Sequence, residues 1–449
     1  MKDNLNDFLE RIPPEALSKT FQDAIDIVQY LGYKYLWIDS LCIMQDDDDD
    51  WKKESALMTQ VYGGSQINIA AAGAANGSQG CFFNRKVTWR CQVRVEVMGR
   101  VFICYSSNFA ESFNEMPLMA RGWVLQERML ARRTIYFTKT EVFWECRRGM
   151  KCETFTNRLP SLTLEDFRNL PTSWFTDTSS WSQIIMRYSR CKLTKGVDKL
   201  VAVSGLARLI HEMTDEVYIA GMWRRGLEEQ LLWGSNGHNA TTPSKSYRAP
   251  SWSWASTDGE VNIPYIPDLD DDYDGYSNED DDCEVPSPHE LYICVQDVQV
   301  ENSPASNAFG EVVSANLRLR VELLVSRCRT DDNHGLLCQE IFMNEKAIQI
   351  LTLFDQPTEQ LKGEIPFYLL PVRGNLYDQD PDITGLMLQP TGNVKGQYKR
   401  IGKFFFQDVY ESMDFLEMAR REENKATNDD FAHISIDADG GRHQYIDLV

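Results

Sequence analysis

The chain has 449 residues, 43% hydrophobic and 25% charged, with a formal net charge of −21. That length exceeds one ordinary core and points to two or three domains, while the composition is that of a globular protein. The acidic balance disfavours a nucleic-acid partner, because a phosphate backbone repels such a surface. Arg128, Arg132 and Arg133 cluster, but Glu127 sits among them, so no basic patch offsets this. No apolar stretch approaches the roughly 20 residues needed to span a bilayer. The start, MKDNLNDFLERIPPEAL, carries acids and no apolar run, so it does not read as a signal peptide. The 11 cysteines are scattered, which suits reduced thiols and a cytoplasmic location. Cys146 and Cys152 are the nearest pair and have no second pair to complete a zinc site, so no metal is expected.

In chain order, the first helix is expected over Ala16–Leu31. Leu17, Phe21, Ala24, Ile25, Val28 and Leu31 form one stripe, and Gly32 ends it. Tyr35–Ile38 reads as a short apolar strand running into Asp39. The five aspartates from Asp46 to Asp50 then open a helix reaching Tyr62, at the end where the dipole favours negative charge. Ile67–Ala72 is a second apolar strand without polar alternation. Such strands, alternating with helices, imply a parallel sheet covered on both faces. Strand-like pieces follow at Arg94–Val97 and Val101–Tyr105, then a helix over Gly122–Leu130 and a hairpin of Arg133–Phe137 with Val142–Cys146.

Three regions are expected: an α/β domain over 1–155, a helical region over 156–248, and a β-rich domain over 249–449. In the second, Trp181–Cys191, Asp198–Met213 and Met222–Trp233 carry helical patterns. In the third, short strand patterns recur at Leu291–Val300, Leu317–Leu324, Ala347–Thr352, Phe367–Val372 and Ile401–Phe406, as in a barrel or sandwich, before a helix near Asp408–Arg421. The acidic stretch 268–284 places Asp270, Asp272, Asp274, Gly275 and Asp281 at calcium-loop spacing. Its proline-rich flanks cannot be the two helices such a loop needs, so a solvated loop is the plainer reading.

Two stretches carry chemistry. In an open parallel sheet, ligands bind beyond the carboxyl ends of the strands. Asp39 stands at such an end, where a carboxylate can hold a ribose hydroxyl or handle a proton; the plainer alternative is a turn cap or an ion pair. The second stretch, MARGWVLQERMLARR (Met119–Arg133), holds Arg121, Trp123, Gln126 and Glu127. Trp123 and Glu127, four apart, share a helix face, and a carboxylate beside a large aromatic is partly desolvated and its pKa raised. Here the plainer alternative is a Glu127 paired with Arg128 or Arg132. There is no phosphate loop and no G-x-S-x-G elbow, and His211 alone among six histidines precedes residue 230, which disfavours a histidine triad in the first region.

Three blocks in order, LSKTFQDAIDIVQYLGYKYLWIDSLCIMQDD, DWKKESALMTQVYGGSQINIAAAGA and RGWVLQERMLARRTIYF, resemble the HET (heterokaryon incompatibility) domain of filamentous fungi. FWECR (143–147), YSRCKLTKGVDKLVAVSGLA (188–207) and PSWSWAS (250–256) extend the resemblance, and GLMLQPT with GQYKRIGKFFF resembles the β-barrel region that closes many such proteins. The resemblance implies a TIR-like, flavodoxin-like parallel sheet. It also implies a role in fungal non-self recognition that ends in programmed cell death, with protein partners in that signalling and self-association among them. Several TIR domains cleave NAD with one glutamate. By that resemblance Glu127 would be catalytic, with Asp39, Cys42, Gln45, Asp46, Arg121 and Trp123 lining the pocket. NAD would then be a substrate and no cofactor would be needed. HET domains usually open with a strand carrying a Y-x-x-L-S-Y-x-W-G-like motif, which this sequence does not contain. Reduced or absent activity, as in an inactive truncated relative, and exposed pairing edges are expected on that ground.

Overall fold

A computed structural model describes residues 1–85, 93–97, 100–104, 116–153, 155–157, 180–235, 241–264, 290–305, 307–330, 338–343, 346–355, 367–374, 383–406, 409–421, 425–436 and 442–449. The acidic stretch 268–284 lies outside the described residues. Two compact units result: Met1–Phe175 with Cys191–Thr194 and Val201–Leu209, and Thr176–Arg190 with Lys195–Leu200 and Ile210–Val449.

In the first unit, α1 (Leu5–Glu10) precedes α2 (Lys19–Tyr30). Ser18 starts α2 by accepting a hydrogen bond from the Phe21 amide, and Gly32 ends it at φ +78°, a conformation cheap only for glycine. Its buried face holds Ala24 and Val28 of the expected stripe and Ile27 beside it, together with the fully buried Asp23, while Leu31 of the stripe is exposed. Asp23 accepts from the Cys81 amide at 2.8 Å and pairs with Lys19. Burial opposes ionisation of Asp23, but the Lys19 and Cys81 hydrogen bonds outweigh it and hold the carboxyl below its usual range.

Tyr35–Ile38 is not a strand. Its backbone is extended at Ile38 (φ −134°, ψ 123°), but a strand also needs a paired neighbour, and none of the described strands pairs with it. The chain turns instead into the short α3 (Asp39–Cys42). The helix expected from Asp48 to Tyr62 forms in two pieces, α4 (Asp48–Ala56) and α5 (Met58–Gly64). Asp47 starts α4 by accepting from the Asp49 and Asp50 amides at 3.1 and 3.2 Å.

Strand β1 (Asn68–Ala70) runs parallel to β4 (Arg133–Phe137), residue 68 facing 134. β5 (Val142–Cys146) and β6 (Gly149–Cys152) continue the sheet antiparallel, giving the order β1-β4-β5-β6. The expected all-parallel sheet is thus corrected to a mixed one. The tight turns after β4 and β5 leave too little chain for the crossover a parallel neighbour requires. β2 (Val93–Val97) and β3 (Arg100–Cys104) form a separate hairpin. Helix α6 (Gly122–Leu130) forms where its sequence placed it.

The second unit begins with α7 (Ser180–Ser189). Met222–Trp233 does not form one helix. Met222–Trp223 pairs with Tyr218–Ile219, Gly226 turns at φ +62°, and only Leu227–Gln230 is helical. The tryptophan-rich 250–256 segment is packed rather than exposed. Trp254 and Trp181 both donate to the Gly221 carbonyl, at 2.7 and 2.8 Å. Gly221 sits at φ +99°, and a Cβ there would lie 2.8 Å from Trp254 Nε1.

The large sheet comprises β7 (Glu290–Leu291), β8 (Ile293–Ser303), β9 (Glu311–Val321), β10 (Val325–Thr330), β11 (Cys338–Met343), β12 (Lys346–Phe354), β13 (Phe367–Gly374), β14 (Ile383–Pro390), β15 (Gln397–Phe405), β16 (His433–Ile436) and β17 (Arg442–Leu448). The pairing path is β7-β13-β10-β11-β12-β15-β17-β9-β8, with β14 joining β13 and β15 and β16 on β17. The ends of that path, β7 and β8, do not pair with one another. The eleven strands do not close on themselves as one barrel, but because β14 pairs with both β13 and β15, the strands β13, β10, β11, β12, β15 and β14 form a ring of pairings within the sheet. Leu369, Ile383, Met387 and Phe404 of this sheet pack with Phe415 and Leu416 of the helix Val409–Ala419. Among the described residues, no helix is long and apolar enough to cross a membrane.

Candidate functional site

A cavity of about 540 Å³ lies within the first unit, a size typical of small-molecule sites. One wall comes from α2 through Ala24 and Val28, and another from the extended run 33–39. The remainder comes from the end of α5, from 64–71 and from α6. On α6, Arg121, Val124, Glu127 and Arg128 share the cavity face because they recur at helical spacing.

Glu127 is the central group. Desolvation and the charge of Asp39 push its carboxyl up to about 7, and Arg121 and a hydrogen bond donated by Tyr62 only partly offset this. Tyr62 is itself raised, first by burial and then by the charge of Glu127. Asp39 stands exposed at the start of α3, with Oδ1 accepting from the Ser40 amide at 2.7 Å. Trp37 meets Tyr62 edge to face, their centroids 5.8 Å apart, and both rings line the cavity.

The helix carrying Glu127 is pinned from two sides. Arg128 forks onto Glu145 of β5, Nε to Oε2 at 2.9 Å and Nη2 to Oε1 at 2.8 Å. Tyr136 of β4 donates to the same Glu145 Oε2. Burial opposes ionisation of Glu145, but the Arg128 charge and these hydrogen bonds hold it below the usual range. On the opposite side, the fully buried Gln126 accepts from the Gly205 amide at 3.1 Å. A Cβ on Gly205 would lie 2.8 Å from Gln126 Oε1, so glycine permits this approach.

Of the residues expected in the pocket, Asp39, Arg121 and Glu127 are brought together. The others are placed differently. Trp123 packs edge to face on Trp51, with 6.1 Å between centroids, and does not line the cavity. Cys42 is exposed and outside it. Gln45 bonds the nearby Ile43 carbonyl at 3.0 Å, and Asp46 accepts from the Lys2 amide at 3.0 Å. Tyr62, Trp37 and the Arg128–Glu145–Tyr136 cluster escaped the sequence reading. All of them lie within the blocks that carry the family resemblance, but none was given a role in the pocket. Among the described residues, no group of three metal-ligating side chains occurs.

A mixed α/β unit with a partly buried, raised glutamate facing an aromatic-walled cavity defines the class of this site. Residues 3–127 match the family model described as Heterokaryon incompatibility protein (HET). The match gives the chain a HET-like segment over 125 of its 449 residues, and that segment ends on Glu127. No curated protein and no solved structure matches the chain.

Proposed function

We propose that this protein promotes programmed cell death in fungal incompatibility, and that its HET domain does so by hydrolysing an N-glycosidic bond of NAD or a related nucleotide. The observation that carries this reading is Glu127. It is a carboxylate raised to about 7, set in a cavity with aromatic walls and no competing histidine, and such perturbed groups concentrate at functional sites. Breaking the bond between a ribose carbon and a base develops positive charge on the sugar. A carboxylate held at the cavity face of a pinned helix stabilises that charge without reorganising. Trp37 and Tyr62 supply aromatic surface for a base, and Arg121 and Lys34, which also line the cavity, suit the phosphates.

The test is base release from NAD by the purified full chain at high protein concentration, beside Glu127→Gln, with cytotoxicity of both on expression. Loss of both activities in a folded variant supports the reading. Toxicity that persists in Glu127→Gln would instead place the function in surface contacts with signalling partners or with a second copy.

A further inference from the structure

The following rests on the reading of this cavity as a glycosidic-bond site. Two carboxylates from different elements, Glu127 of α6 and Asp39 of α3, bear on one cavity, and the Tyr62 hydroxyl of α5 donates to Glu127. Among the described residues, Arg121 at the start of α6 is a cation whose charge acts on Glu127. Lys34 and Arg128 also line the cavity, but Arg128 is committed to Glu145. A lone carboxylate suffices to stabilise a cationic sugar; a second one lining the same cavity adds the means of keeping a proton on the first.

We propose that Glu127 delivers a proton to the departing base, and that the site therefore acts on nucleotides whose glycosidic nitrogen belongs to a neutral purine. The reason is the fate of the bonding electron pair. A pyridinium such as that of NAD takes the pair and leaves as neutral nicotinamide, needing no proton. A neutral purine would leave as an anion unless a proton reaches it as the bond breaks. In the balanced step, the C1′–N bond breaks and its electron pair goes to the base. The Glu127 proton goes to a ring nitrogen of the base. Water adds its oxygen to C1′ and returns a proton to the Glu127 carboxylate, and Asp39 faces the transient sugar cation. NAD itself carries an adenine glycosidic bond as well as the nicotinamide one, so a single substrate reports both chemistries. The raised carboxyl of Glu127, at about 7, leaves about half of it protonated at neutral pH.

The experiment incubates the full chain with NAD and with adenosine monophosphate from pH 5.5 to 9, separating adenine from nicotinamide. Expected is adenine release from both, falling above pH 7 and about 100-fold or more lower in Glu127→Gln. In Asp39→Asn the alkaline fall should move to lower pH, because a like charge that raises Glu127 is gone. A merely structural Asp39 would not move that limb, and this second variant keeps the test alive should Glu127→Gln fail to fold. Nicotinamide as the sole product, or a rate that climbs with pH through 7, overturns proton delivery and leaves the glycosidic reading standing. No base released from either substrate overturns both.

Discussion

The partly buried acid at position 127 makes a prediction that needs no substrate. Its carboxyl moves from 4.5 to about 7 on folding, so the folded chain holds a proton that the unfolded chain releases. Stability from this group is full below pH 4.5, is lost as pH rises towards 7, and stays lower above it. At about 1.4 kcal/mol per pH unit, the loss is about 3 kcal/mol. Glu127→Gln keeps the shape and removes the ionisation. The variant should therefore gain on the parent by about 3 kcal/mol between pH 5 and pH 8. In urea unfolding this is a relative midpoint shift of about 1 M or more for the first unit's transition. Unfolding curves of parent and variant at both pH values measure it. Parallel behaviour of the two chains across that range would refute the claim that desolvation and Asp39 govern Glu127.

Other sites give sharper structural outcomes. Arg128→Met strands Glu145 without its bidentate partner, and should cost about 3–5 kcal/mol while lowering activity through misplacement of α6; Arg128→Lys should rescue little, since it cannot fork. In the second unit, buried Arg248 donates to Ala255 O at 2.6 Å, Gly196 O at 3.1 Å, Thr257 O at 2.7 Å and Asp258 Oδ1 at 2.6 Å. Arg248→Lys should lower stability by about 3 kcal/mol or more, read by urea unfolding, because one ammonium cannot reach four acceptors. Gly80→Ala should destabilise the first unit by about 2 kcal/mol or more in a thermal melt. Gly80 lies at φ +77°, and its Cβ would sit 2.2 Å from Asp23 Oδ2, displacing the carboxylate that holds the Cys81 amide.

Local pattern sufficed for elements whose partners are close in the chain. The expected helix Ala16–Leu31 formed as α2 over Lys19–Tyr30 with Gly32 ending it, and the β4–β5 hairpin and α6 formed at the expected residues. These features depend on helical spacing, caps and short turns, which a sequence carries directly. Pattern failed where the outcome required a distant partner. Tyr35–Ile38 has strand composition, yet pairing decides whether a strand exists. Met222–Trp233 has helix composition, yet its core contacts are better met by a two-residue ladder, a left-handed Gly226 and a single helical turn.

The candidate site divides the same way. Sequence determined that Glu127 and Arg121 share a helix, and that Asp39 ends an apolar run. Tertiary structure decided that these three meet in one cavity, that Trp123 turns to Trp51 instead, and that Tyr62 becomes the hydrogen-bond partner of Glu127. The physical reason is that a pKa and a hydrogen bond depend on distance and desolvation in space. Neither is a property of spacing along the chain; both appear only once α3, α5 and α6 converge.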